Sequence, residues 1–451
     1  MVYANSYYQG SSVSAKSLIG TIGILAAMSV AFYVGETSVS RQASKNRVTV
    51  IYWEKWTGDE GEQMRKIVDA FNDSQLKIFV KYLSISGVDQ KTMLATAGKN
   101  PPDVAGIWLE QVCQFSDAGA LTDLTSMARE HRLGSDYYIK GYWEPLNYRG
   151  KLWALPSTPA SIGLHVRPDL VPKEFASPET FPKTIEGLDA MSKKISKKAT
   201  DGSLVMAGFL PSNPGWWNWA WGVYFGGKLV DGDKITVNSA ENIRAFEWCQ
   251  SYAKEFGSKE MTSFQGGFGN FSSPQDPFMT GKVATEINGV WKGNYIKVQK
   301  PDTPWFAVPF PYPADRPDLA GHASLSQDVL AIPRGAKHPN EAFEFIAFVQ
   351  RQDIMERLCK SHGKNSPLAN VSEEFFNTHP NKYIRLFDQL ARSPRAFSSP
   401  QIGINPQISA EMTVAFQEVN TMQKTPKQAL DDAQKRLDKL WITYKSQVLN
   451  Q

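Results

Sequence analysis

The sequence predicts an α/β protein with a largely parallel sheet covered by helices on both sides, and three observations carry that prediction. From Arg47 onward, compact apolar runs alternate with longer amphipathic stretches, the pattern of strands separated by helices. Successive strands joined through helices pair in parallel, which buries the sheet on both faces. At 451 residues, 42% hydrophobic and 21% charged, the chain has ordinary globular composition and enough length for two domains of usual size.

The first 46 residues stand apart. Ser17 to Gly35 carries no charge and includes LIGTIGILAAMSVAFYV, long enough to cross a bilayer and somewhat long for the apolar region of a signal peptide. Either reading routes the rest of the chain to a membrane. Ser38-Val39-Ser40 is a loose small-x-small cleavage site, so removal and permanent anchoring both stay open. Lys16 precedes the segment while Arg41, Lys45 and Arg47 come after it, and charge alone does not set its orientation. Residues 41–46 read as a polar linker.

The remaining elements come in order. Val48 to Tyr52 is a strand, about Asp59 to Phe71 a helix, and Lys77 to Leu83 a second strand. Gln90 to Ala97 is helical until Asn100-Pro101-Pro102-Asp103 breaks it. Val104 to Trp108 is the third strand, and the helix after it runs to Asp117 and ends at Gly119. Ile162 to Val166 is a short strand leaving a Pro156/Pro159 corner. The basic run Lys193 to Lys198 reads as the solvated face of a helix. Leu204 to Phe209 is a strand, Lys228 to Val237 a hairpin turning at Asp231-Gly232, and Ser239 to Phe256 a long amphipathic helix. Gly266 to Phe271 is a loop and a candidate lip for a cleft. Val283 to Ile287 is a strand, Asn288-Gly289 a turn, and Trp291 opens the next helix. Pro301 to Pro317 is too proline-rich for a central strand or a helix. Ser326 to Ile332 returns to strand, Asn340 to Val349 to helix, and Thr425 to Val448 is a long closing helix.

Aromatic residues make up 12% of the chain, and four of its 13 tryptophans fall at positions 216, 217, 219 and 221. Asn213 and Pro214 suit the cap and first position of a helix, and Gly226-Gly227 suits its end. On such a helix Trp217, Trp221, Tyr224 and Phe225 share one buried face. Trp221 is read as core. Trp216 and Trp217 in the first turn form an aromatic surface able to stack on a flat apolar face, such as one side of a pyranose ring.

Several function classes are excluded. A formal charge of +4 with no dense Lys/Arg stripe excludes a nucleic-acid partner. Cys113, Cys249 and Cys359 form no CxxC pair, and six scattered histidines have no ligand spacing, so no metal site is expected. Neither GxGxxG nor GxxxxGK[ST] occurs, so no cofactor is expected and any energy from ATP must come from a partner.

Three segments, VTVIYWEKWTGDEGEQMRKIVDAFN, KNPPDVAGIWLEQVCQFSDAGALTDLT and YRGKLWALPSTPASIGLHVRPDLV, resemble extracellular solute-binding proteins of ABC transporters, family 1, the maltose-binding type. FPKTIEGLDAMSKKI, DPFMTGKVATEINGVWKGNYI and AIPRGAKHPNEAFEFIAFVQ continue the resemblance in family order, from about residue 47 to the C-terminus. It implies the two-lobed, type II periplasmic-binding-protein fold, with hinged lobes that each carry a mixed, mostly parallel sheet. Lobe one would comprise 47–158 with 326–372 and lobe two 162–321 with 373–451. Hinges would fall near Thr158 to Ile162 and Gly321 to Leu325. The implied role is a monomeric, extracytoplasmic binding component that captures a sugar or oligosaccharide and delivers it to permease subunits served by a separate ATPase. By the same resemblance, Trp291 of INGVW stands where the family keeps an aromatic floor, and Glu54, Lys55 and Glu110 match positions presenting polar sugar ligands. Ala160 stands near a carboxylate of the maltose-binding relative, a departure that argues against maltodextrin.

Ligands of open α/β sheets bind beyond the carboxyl ends of the strands. Those ends carry Trp53, Glu54, Trp56, Trp108 and Glu110, and they join Trp216, Trp217 and Trp291 in the candidate site. Ser161, Asn288, Ser324 and Ser326 complete it with groups that donate or accept toward hydroxyls. Two other readings stay open. A glycoside hydrolase would use two carboxyls, Glu54 and Glu110, set roughly 5–9.5 Å apart. A receptor for a polyamine or betaine would box a cation with indoles and neutralise it with acids.

Overall fold

The computed structural model describes residues 46–449. The apolar segment at 17–35 lies outside them, and among the described residues no helix is long and apolar enough to cross a membrane. The first strands form where expected: β1 Val48–Glu54, β2 Ile78–Ser84 and β3 Val104–Trp108. Between them lie α1 Gly58–Ser74 and α2 Val88–Ala97, and α3 Leu109–Asp117 comes next. β1 pairs in parallel with both β2 and β3. Along β1, Val50, Tyr52 and Glu54 are buried while the alternate residues keep some exposure, as the two-residue period requires. Burying an aliphatic side chain as fully as Val50 or Ile107 stabilises by about 1.5–3 kcal/mol.

Two long strands join this group to a second one. β4 Leu155–Val166 is buried along its whole length. β5 Thr285–Gly289 and β6 Phe306–Val308 both pair antiparallel with its second half. β7 Ala323–Ala331 runs antiparallel to the first half of β4 and to β3, and the short β8 Ala396–Phe397 joins its start. The order along the sheet is β5-β4-β7-β3-β1-β2, with β6 on β4 and β8 on β7. Pro156 and Pro159 sit within β4, where β7 shifts register between Gln327 and Val329 and β5 does not reach. A strand tolerates proline at such a bulge or free edge. Residues 158–162 therefore lie inside β4, and 321–325 span the entry to β7.

Helices cover the faces. α4 Ala240–Phe256 is capped by Ser239, whose hydroxyl accepts from the Asn242 amide. α5 Lys292–Gln299 comes after β5, and α6 Pro339–Gln350 and α7 Gln352–Ser361 come after β7. α8 Ile384–Ala391 packs on β4. α9 Asn405–Asn420 packs on α10 Pro426–Tyr444, which starts with a Thr425/Gln428 capping box.

Five sequence expectations are corrected. The tryptophan segment is no continuous helix from Asn213. Gly215 has φ +80° and Trp217 is non-helical, and the Asn213 amide binds Glu286 instead of capping. Helical geometry begins at Asn218 and ends at Tyr224. Asn288-Gly289 is the end of β5 and not a turn. Within the proline-rich 301–317, Phe306–Val308 forms a strand paired with β4. Lys197–Lys198 leave the preceding helix, which ends at Ile195, and pair with Leu204–Met206, a strand shorter than predicted.

Candidate functional site

β1 and β3 run in parallel and end on the same edge, and β4 and β7 pass beside them. Glu54, the last residue of β1, is buried, and its carboxylate is fully engaged. Tyr52 Oη donates to Oε2 at 2.6 Å, while the Lys55 amide and ammonium donate to Oε1 at 2.8 and 3.1 Å. Lys55 Nζ also reaches Asp328 Oδ1 at 3.0 Å. The other carboxylate oxygen of Asp328 accepts from Lys364 Nζ and Thr158 Oγ1, each at 2.8 Å. Gly106 opens the room for this cluster: a Cβ there would stand 1.8 Å from Glu54 Oε2.

Two carboxylates and two ammoniums balance. Burial pulls the Lys55 ammonium down, but Asp328 and Glu54 outweigh it and hold its pKa above the ordinary lysine range. Burial pushes Asp328 the other way, and Lys364 and Lys55 together hold its carboxyl below the usual range. Indoles cover the ammoniums. Lys55 Nζ lies 4.3 Å from the Trp108 ring and 5.2 Å from Trp56, and Lys364 Nζ lies 5.8 Å from Trp56 and 5.6 Å from Trp291.

Trp291 comes from the second strand group. β5 runs antiparallel to β4, so its C-terminal residue, Gly289, pairs with Ile162 next to the region where β4 meets β7. Trp291 caps α5 and folds back over that strand end, where a Cβ on Gly289 would stand 2.4 Å from its ring. Beneath it the buried Lys292 ammonium binds Asp276 at 2.7 Å and Glu286 at 3.1 Å. Asn213 donates to Glu286 at 2.9 Å, and Asn288 donates to the same carboxylate. Burial and the Glu286 charge push Asp276 up to about 6 against the pull of Lys292. Trp217 lies 6.2 Å from Trp291 with planes 43° apart, and Trp216 lies 5.4 Å from Trp217 at 80°. Trp216 is 42% exposed, and Trp217 and Trp291 are half-buried. Among the described residues the Trp291 indole N–H has no partner. Aromatic faces from one strand group thus meet a neutral, hydrogen-bonded charge cluster from the other.

The sequence-predicted residues divide by position. Trp108, as exposed as Trp216, and Lys55 stand at the first edge, and Trp216, Trp217 and Trp291 at the second. Glu110, in the first turn of α3, keeps part of its surface, and burial pushes its carboxyl up to about 7. Glu54 and Asn288 are interior supports. Trp56 is buried against His362, ring centroids 4.7 Å apart. Ser161 is buried and donates to the Phe387 carbonyl at 2.6 Å, and Ser324 is buried beside Tyr224. Ser326 is half-buried opposite Ala160, and Trp53 points to the sheet face opposite Tyr52 and Glu54. Sequence reasoning missed Thr158, Asp328 and Lys364, and also Asp276, Glu286 and Lys292. One usable signal existed: Gly106 inside a strand marks a close approach.

Comparison with known proteins identifies the family and the fold. Residues 66–381 match the bacterial extracellular solute-binding protein family. An arabinooligosaccharide-binding protein of Bacillus subtilis (strain 168) is 23% identical over 369 residues, which is 76% of this chain and 80% of that protein. A solved structure of CpMnBP1 with mannobiose bound superposes with TM-score 0.76 at 25% identity, covering 86% of this chain and 99% of the other. The sugar-binding protein MalE from Xanthomonas citri shares the fold, with TM-score 0.73 at 17% identity over 88% and 98% of the two chains. The fold is therefore the two-lobed α/β fold of sugar-binding proteins, and the chain belongs to the bacterial extracellular solute-binding proteins.

Proposed function

We propose that this chain is the binding component of an ABC importer, taking a sugar or oligosaccharide between two lobes that close on it and handing it to a membrane permease with its own ATPase. The lobes are 47–158 with 326–372 and 162–321 with 373–451, joined through β4 and β7. The ligand lies between the C-terminal ends of the two strand groups, against Trp108 and Lys55 on one side and Trp216, Trp217 and Trp291 on the other. Glu110 and Ser326 border it, while Glu54, Trp56, Ser161, Asn288 and Ser324 shape the site from behind. The N-terminal segment at 17–35 carries the chain to or across a membrane, and the soluble part acts as a monomer.

One observation carries the reading: half-buried indoles from one strand group face hydrogen-bonded polar groups of zero net charge from the other. Such a surface suits an uncharged ligand with apolar faces and many hydroxyls. Glu54 and Asp328 are already paired with Lys55 and Lys364, which leaves neither carboxylate to neutralise a cationic ligand, and Glu54, saturated by Tyr52 and Lys55, is not free to act as a catalytic acid. The sugars bound by the compared proteins, arabinooligosaccharide and mannobiose, define the first ligands to try. Isothermal titration calorimetry with arabino- and manno-oligosaccharides, betaine and spermidine tests the reading. Saccharide binding is expected, without release of smaller sugars on overnight incubation. Betaine or spermidine binding in place of every saccharide overturns it.

A further inference from the structure

The aromatic surface does not stop at Trp216. Its ring meets Phe271 with centroids 4.9 Å apart, and behind the pair opens a cavity of about 370 Å³. That volume falls in the range of sites that hold small ligands. Its lining combines rings and polar groups: Trp216, Phe268 and Phe271 supply faces, while Ser212 and Gln265, bonded to each other, and Asn270 supply groups that donate and accept. The Asp276 and Glu286 carboxylates beside them are held by Lys292. Gly269 seals the wall, since a Cβ there would stand 2.5 Å from Gln275 Cβ.

The ring geometry adds a constraint. Trp216 and Trp217 are nearly perpendicular, so one flat sugar face cannot lie on both. Stacking on both rings therefore takes two separate units, one for Trp217 and Trp291 and another for Trp216. We infer that the cavity behind Trp216 is an extension subsite, so that the ligand is a linear oligosaccharide of at least three units whose end sits among Gln265, Asn270 and Phe271. This rests on the saccharide-binding reading above and narrows it to the longer members of the class.

The test is a calorimetric ladder of mannobiose, mannotriose and mannotetraose, and of arabinobiose to arabinotetraose, on the wild-type protein and on Gln265→Trp and Phe271→Ala. Gln265→Trp fills the cavity from a half-buried helix position, and Phe271→Ala removes one wall. In one series the wild type is expected to gain about tenfold in affinity between two units and three or four. Both variants should lose that gain while holding the disaccharide within about twofold of wild type. Equal affinity along both ladders, or a gain that both variants keep, overturns the subsite and leaves saccharide binding standing. Failure of every saccharide on the wild type overturns the underlying reading instead.

Discussion

Replacing Asp328 with Asn is the sharpest probe of the charge cluster. Among the described residues its carboxylate is the only one within ion-pair distance of Lys364, at 2.8 Å, and one of two that hold Lys55, the other being Glu54 at 3.1 Å. The Asp328 and Lys364 side chains are 3% and 8% exposed, so solvent screening removes little of the interaction. Breaking a buried pair leaves an ammonium uncompensated, which costs about 3–5 kcal/mol. Asp328→Asn should lose that much in urea unfolding followed by tryptophan fluorescence at pH 7. The double variant Asp328→Asn/Lys364→Met should recover a large part, because the stranded charge goes with its partner. Linkage supplies a second readout. The folded pKa of Asp328 is depressed, so its stabilisation is present above the unfolded value near 3.9 and is lost as pH falls below it. The difference between wild type and variant should therefore shrink below about pH 4. A loss under about 1 kcal/mol for Asp328→Asn, or no recovery in the double variant, refutes the account.

Trp217→Ala and Trp291→Ala should each weaken saccharide binding by about 2 kcal/mol, roughly thirtyfold in Kd by calorimetry, with little change in unfolding midpoint for the half-buried Trp217. Gly106→Ala drives a methyl into the Glu54 carboxylate and should cost about 3 kcal/mol in urea unfolding by breaking its bonds to Tyr52 and Lys55. Glu110 has a raised folded pKa, so its contribution is fully present below the unfolded value and fades as pH rises through about 7. Glu110→Gln should therefore gain on wild type between pH 5 and pH 8, on the order of 1–2 kcal/mol after discount for its partial exposure, read from paired unfolding curves.

Local order was largely legible. β1 to β3, the helices between them, the 228–237 hairpin and the long helix from Ala240 stand close to their predicted places because each announces itself by periodicity, caps or glycines. The tryptophan segment misled for a definite reason. Its composition suits a helix, but the backbone at Gly215 is left-handed and the Asn213 amide is claimed by Glu286, a partner 73 positions away. The clustering of Trp216, Trp217 and Trp291 in the candidate site was also legible, since they stand out by type and position.

The sequence by itself determined the α/β class, and it singled out the strand ends and the indoles of the proposed site, because these depend on short-range pattern and residue type. Only the tertiary structure decided which charges matter. Lys55 is marked only by the family resemblance, and Lys292 and Lys364 by nothing in the local pattern, until folding brings Asp328, Asp276 and Glu286 to them across gaps of 6 to 273 residues, and burial then makes each pair consequential. A side chain's solvent exposure depends on what the fold stacks over it, and no local pattern carries that information.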